Sequence, residues 1–162
     1  MKKRLDILVY EKGFAESREK AKAGLGIQIA ESNREVVEKS EMIVLAVKPQ
    51  FFEEVIAEIK DIVRDDHMVV TLAPGKTLAW LEEQFGKPLK IIRTMPNTPA
   101  MVQEGMTASC PNSYVTDEDM AYVTRILEGC GAVEVVPERL IDAVVAVSGS
   151  SPAYIYMLIE AM

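Results

Sequence analysis

The stretch MIVLAVKPQ, Met42 to Gln50, decides how this chain folds. Met42 to Val47 is a continuous apolar run, the mark of a strand covered on both faces in a parallel sheet. Lys48-Pro49 stops it, because proline has no amide hydrogen to give a neighbouring strand. The next segment, Phe51 to Val63, carries apolar residues at 51, 52, 55, 56, 59, 62 and 63, a helical stripe.

The same alternation extends in both directions. Before it, Leu5 to Tyr10 reads as a strand and Glu16 to Ala23 as a polar-faced helix ended by Gly24 and Gly26. Ile27 to Ala30 is a short strand. Ser32 or Asn33 caps a helix through Lys39, with Glu35 and Glu38 near its positive end. After it, His67 to Ala73 is a buried strand stopped by Pro74-Gly75, and Thr77 caps a helix to Phe85. Leu89 to Met95 and Met106 to Cys110 follow as strands. Thr116 caps a helix over Asp117 to Glu128, with Gly129 just past its end, and Ala132 to Val136 is the last strand. From Leu140 the chain reads as helical, broken at Ser148 to Pro152. Strands alternating with helices imply an α/β fold: a doubly wound, mostly parallel, Rossmann-like sheet with right-handed crossovers.

Composition narrows the function. With 49% hydrophobic and 27% charged residues, the 162-residue chain has the makings of a substantial core. A net charge of −7 argues against a nucleic-acid surface, which would be basic. Two cysteines, Cys110 and Cys130, and one histidine, His67, lack metal-ligand spacing, so no metal site is expected. The cysteines read as small apolar fillers, and His67 as a surface residue beside Asp65 and Asp66. No apolar run approaches a membrane span and no signal peptide is visible, which reads as a cytoplasmic protein without membrane partners.

Three loops follow buried strands and break them with proline: AVKPQ (Ala46 to Gln50), LAPGKT (Leu72 to Thr77) and TMPNTPA (Thr94 to Ala100). In a parallel sheet they share one rim, where α/β folds bind ligands. Turn-making alone accounts for any one of them, and Asn97 and Thr98 could serve only their own backbone. Three together, each with a polar group beside the proline, favour a cleft. A fourth segment, AVSGSSPAYIYMLIEAM, sets Ser148, Gly149, Ser150 and Ser151 before Pro152 and an apolar helix. Free amides at that helix start would seat a carboxylate, although simple capping also suits them. The helix, with Tyr154, Ile155, Met157, Leu158 and Ile159, is too apolar to end in water uncovered.

In their order and spacing, AVKPQ, IIRTMPNTPAMVQEGMTA and LIDAVVAVSGSSPAYIYMLIEAM resemble the pyrroline-5-carboxylate reductase family, together with SNREVVEKSEMIVLAVKPQ. The resemblance covers almost the whole chain. It implies a Rossmann-type domain binding NADPH or NADH (here residues 1–136) and the start of a helical dimerisation and substrate domain (137–162). Hydride transfer to the C=N bond of 1-pyrroline-5-carboxylate would then give L-proline, with a homo-oligomer in the full-length form. By position, the resemblance places Ala46, Val47, Lys48 and Pro49 near the nicotinamide half of the cofactor and Asn33 on its adenosine side. It places Met95, Pro96, Asn97 and Thr98 near nicotinamide and substrate, and Ser148, Gly149, Ser150, Ser151 and Pro152 at the substrate carboxylate.

Three features depart from the family pattern. The chain opens at what resembles the family's second strand, without a first strand and Gly-rich phosphate loop, and it stops inside the first long helix of the dimerisation domain. Ser151 also stands where the family carries glycine. No proton donor is identifiable, so no catalytic residue is named. Glu11 would favour NADH through a ribose hydroxyl, Lys12 NADPH through the 2′-phosphate. Other Rossmann reductases, of the hydroxyacid or coenzyme-F420 type, share the strand pattern without the proline loop and the SGSSPAY segment together. A non-catalytic fragment acting as an interaction module is the alternative of another class.

Overall fold

The computed structural model describes residues 30–72 and 74–162. The strands and helix expected before residue 30, Glu11, Lys12 and Ala73 lie outside the described residues. Within them, helix α1 (Asn33–Glu38) precedes strand β1 (Met42–Leu45), and a 3-10 turn (Pro49–Phe51) leads into α2 (Phe52–Ile59). Strand β2 (Met68–Thr71), α3 (Leu78–Phe85) and β3 (Lys90–Met95) follow. A second 3-10 turn (Thr98–Val102) joins β3 to β4 (Gly105–Pro111), and α4 (Asp117–Leu127) joins β4 to β5 (Gly131–Val135). The chain closes with α5 (Ile141–Val144), a π turn (Val145–Gly149) and α6 (Ser151–Ala161).

Local chemistry sets the helix ends. Ser32 and Thr77 each accept a backbone amide at the start of α1 and α3, and Thr116 and Asp119 form a reciprocal capping box on α4. Gly86 ends α3 in the left-handed conformation, at φ 66°.

The five strands lie in sequence order, β1-β2-β3-β4-β5. The first three are parallel, β4 runs antiparallel to β3, and β5 is parallel to β4. The reversal has a geometric consequence. Right-handed crossovers put α2 and α3 on one face, and once the strands point the other way the same hand puts α4 on the opposite face. The packing agrees. Val69 and Ile91 join Phe52, Ile56, Leu81 and Phe85 in one cluster, while Val70 and Ile92 pack with Val123 of α4 in another. Fully buried side chains such as Phe52, Leu81 and Ile91 each contribute about 1.5–3 kcal/mol.

Several expectations change. β1 is covered on one face only: Ile43 and Leu45 are buried, but Val44 is 47% exposed. It is the outer strand of the described sheet, and on the face it shares with Val44 only Met42 packs, partly buried, against the cluster on the α4 side. β2, in contrast, is buried along its whole length. His67 is fully buried rather than at the surface, its Nδ1 accepting from the Arg64 amide at 3.2 Å. Cys110 is the buried filler expected, whereas Cys130 is exposed.

The largest change is at the end of the chain. The break expected at Ser148 to Pro152 is absent, and helix runs from Glu138 to Ala161 through the π turn. Merged in this way, the 24 residues are long and apolar enough to cross a membrane by length and composition, which the sequence reading did not anticipate.

Candidate active site

Parallel register fixes the rim. Leu45 pairs with Thr71 and Thr71 with Arg93, so the chain leaves β1, β2 and β3 at the same edge of the sheet. The three proline loops therefore gather there, as expected. Across the rim, Thr94 Oγ1 donates to the Thr71 carbonyl at 2.7 Å.

On the β1 side, Asn33 at the first turn of α1 and Lys48 after β1 line one cavity of about 550 Å³ with Gln50, Phe51, Glu54, Val55 and Glu58. Asn33 Nδ2 donates to Glu58 Oε2 at 2.7 Å. Ala46 is exposed and Val47 is half-buried against the core. Pro49 opens the 3-10 turn, whose Phe51 amide bonds the Lys48 carbonyl at 2.9 Å. The cavity has the size of a small-molecule site, with a cation and two amides to orient a polar ligand. That fits the adenosine half of a dinucleotide, although Glu54 and Glu58 leave the cavity short of positive charge.

On the β3 side, Met95 and Pro96 are half-buried, and Thr98 is exposed at the start of the second 3-10 turn. Asn97 does more than shape a turn. Its Oδ1 accepts from the Met106 amide at 2.9 Å, which fixes the orientation of the side-chain amide. Its Nδ2 then donates to Ser148 Oγ at 3.1 Å. Ser148 acts as acceptor in that contact, so its own hydroxyl proton stays available to a ligand. The neighbouring Gly149 lies against Met95: a Cβ placed on it would come 3.0 Å from Met95 Cε.

The structure thus joins Met95 and Asn97 to Ser148 and Gly149, residues 51 apart in the case of Asn97 and Ser148. It groups Asn33 with Lys48 in a separate cavity. Of the amides expected to be free between Ser148 and Pro152, that of Ser150 is already taken by the helix. The Ser150 amide bonds the Val145 carbonyl at 3.1 Å, and the Ser150 hydroxyl donates to the same carbonyl at 3.2 Å. Ser150 is therefore spent on its own helix. Ser151 and Pro152 form the first turn of α6 and are half-buried.

Sequence reading missed a buried charge just behind this site. Arg93 in β3 is 2% exposed, and its Nη1 and Nη2 reach Glu138 at 3.1 Å and Asp142 at 3.3 Å. Glu138 Oε1 also accepts the Leu78 amide at 2.7 Å, at the start of α3. An arginine between apolar strand residues was the available signal, since charges inside a sheet need partners.

A doubly wound sheet with ligand-sized space and polar loops at its carboxyl rim defines the Rossmann-like class. The comparisons take this further. Residues 4–75 match the family model for NADP oxidoreductase, coenzyme F420-dependent, and residues 138–162 match the model for pyrroline-5-carboxylate reductase dimerisation. The chain is 49% identical over 137 residues to pyrroline-5-carboxylate reductase of Escherichia coli, covering 85% of this chain and 51% of that protein. Two solved structures are similar. The Plasmodium falciparum pyrroline carboxylate reductase with NADP bound has a TM-score of 0.78 at 36% identity, over 82% of this chain and 50% of that one. The Coxiella burnetii pyrroline-5-carboxylate reductase has a TM-score of 0.82 at 31% identity, over 97% and 63%. The chain belongs to the pyrroline-5-carboxylate reductase family. It spans about half the length of the curated relatives it matches.

Proposed function

We propose that this chain carries the cofactor rim and part of the substrate site of a pyrroline-5-carboxylate reductase. The reaction is hydride transfer to the C=N carbon of 1-pyrroline-5-carboxylate, giving L-proline as the last step of proline biosynthesis. NADPH, or NADH, is the reductant, and its nicotinamide supplies the hydride when bound. The observation that carries the reading is the Asn97–Ser148 hydrogen bond, which joins the two motifs that the family would use for cofactor and substrate.

In this reading Asn33 holds the adenosine side of the cofactor and Lys48, in the cavity the two share, reaches toward its nicotinamide half, with Ala46, Val47 and Pro49 along the same loop. Met95, Pro96, Asn97 and Thr98 form the floor toward the nicotinamide. Asn97, held by Met106, keeps the Ser148 proton turned outward to donate to the substrate carboxylate. Gly149, Ser151 and Pro152 shape the wall beside it, and Ser150 braces the helix. Holding the ring in one orientation against the hydride donor is the protein's main contribution to rate.

Residues 1–136 then form a partial dinucleotide-binding domain and 137–162 the beginning of a helical dimerisation domain, as the match over 138–162 supports. From Tyr154 to Ile159 the helix is 52–66% exposed, and a second copy of the chain covers this face in a homo-oligomer. That use of the helix, with cytoplasmic residence, suits a biosynthetic enzyme.

Titration of the purified chain with NADPH, followed by its fluorescence, tests the cofactor reading. Saturable binding below millimolar concentration is expected, weakened at least fivefold in the Lys48→Ala variant. No binding at millimolar NADPH would overturn it. Loss of NADPH absorbance on adding 1-pyrroline-5-carboxylate, with proline formed in equal amount, tests the reaction.

A further inference from the structure

We propose that Arg93 is a positioning residue: its ion pairs with Glu138 and Asp142 hold the C-terminal helix in register with the cofactor rim. The proposal rests on the reductase reading for its purpose, but its geometry stands apart from it. Arg93 lies in the middle strand of the sheet, on the face that α2 and α3 cover. A charge there is costly unless paired, and an apolar side chain of similar volume would stabilise the core as well or better. What arginine adds is a planar fork with fixed directions. Here the two Nη atoms go to two carboxylates four residues apart on one helical face, Glu138 and Asp142. Arg93 Nε has no partner, so the guanidinium is oriented by this pair alone among the described residues.

The arrangement makes two points of attachment. Arg93 grips the helix at its start, and Asn97, four residues further along the chain, grips it again at Ser148. Asp142 and Ser148 are six residues apart, about 9 Å of helix. Two fixed points set the direction of a rod as well as its position, so the Ser148 hydroxyl stays where Asn97 can turn it. Glu138 adds a third tie, to the α3 start. Without Arg93 the helix would pivot on the Asn97 contact.

The test is hydrogen–deuterium exchange on the whole chain as wild type, Arg93→Met and Arg93→Lys, with Glu138→Gln replacing Arg93→Met if that variant fails to fold. Amides of Val145 to Ala153 should exchange at least tenfold faster in Arg93→Met while Met68 to Thr71 and Lys90 to Ile92 stay protected, with partial recovery in Arg93→Lys. A uniform increase, or none, would overturn the proposal, since a merely structural arginine loosens the sheet as well. A second arm measures L-proline binding in the presence of NADP⁺. Its affinity should fall about tenfold in Arg93→Met while that for NADPH changes less than twofold. Faster local exchange with unchanged proline affinity also overturns the proposal. Absence of NADPH binding in the wild type instead counts against the reductase reading, leaving exchange to decide the clamp.

Discussion

The side chain of Asn97 bridges two parts of the molecule, accepting from the Met106 amide at the start of β4 and donating to Ser148 within the C-terminal helix. Asn97→Ala should cost about 1–2 kcal/mol in urea unfolding, the net worth of two ordinary hydrogen bonds. Asn97→Asp is the sharper probe. An aspartate keeps the Met106 bond but can only accept from Ser148, which turns the serine proton inward. L-Proline binding should then fall at least tenfold, beyond any loss seen in the alanine variant.

Glu138 serves both Arg93 and the Leu78 amide. Glu138→Ala leaves the buried guanidinium with only Asp142, whose side chain is 85% exposed. Removing one member of a buried pair is costly, and because Glu138 is itself partly exposed the loss should be about 3 kcal/mol. Equilibrium urea unfolding checks it. The exposed Asp142→Asn change should cost less than 1 kcal/mol.

Burial holds the His67 pKa below its ordinary value, with Arg64 and Lys87 lowering it further and Asp66 opposing them. Below about pH 6.5 the unfolded chain binds a proton there that the folded chain refuses. The contribution is therefore complete above that pH and is lost as pH falls toward the depressed folded value. Asp61, Asp66 and Asp119, kept low by hydrogen bonds to Arg34, Arg64 and Lys90, act only in more acid solution. Thermal melts of His67→Gln should be flat between pH 7 and 5.5, where the wild-type melting temperature declines.

Among the described residues, α6 buries no side chain in the core of a single chain. Leu158→Glu, at a residue 59% exposed, should change unfolding free energy by less than about 0.5 kcal/mol. It should nevertheless shift the chain toward monomer in sedimentation equilibrium. Unchanged association would remove α6 from the interface.

Element types were readable in the sequence because period and caps act locally. The stripe in Phe51 to Val63 became α2 with Phe52, Val55, Ile56 and Ile59 buried, and Thr77 and Thr116 cap as their spacing implies. The rim was also readable, since proline must stop a paired strand. Relations that depend on the assembled sheet were not. Val44 is exposed because β1 lies at the side of the described sheet, and no local pattern reports that position. Ser148 to Pro152 looked like a break because proline lacks an amide. A π turn runs just before it and Pro152 falls in the first turn of α6, where proline is tolerated, so the helix carries on. His67 was misjudged from its acidic neighbours, although Met68, Val69 and Val70 follow it into the core. The Arg93 pairing spans 45 and 49 residues, a separation at which charge leaves no periodic trace.

One contact also bears on where a charged ligand can lie. A helix start beside the carboxyl rim is ordinarily an inviting berth for phosphate. At α3 that berth is already taken from within by the Glu138 carboxylate on the Leu78 amide. A polyanion on the β2 side of the shelf would therefore meet that carboxylate instead of an open helix start.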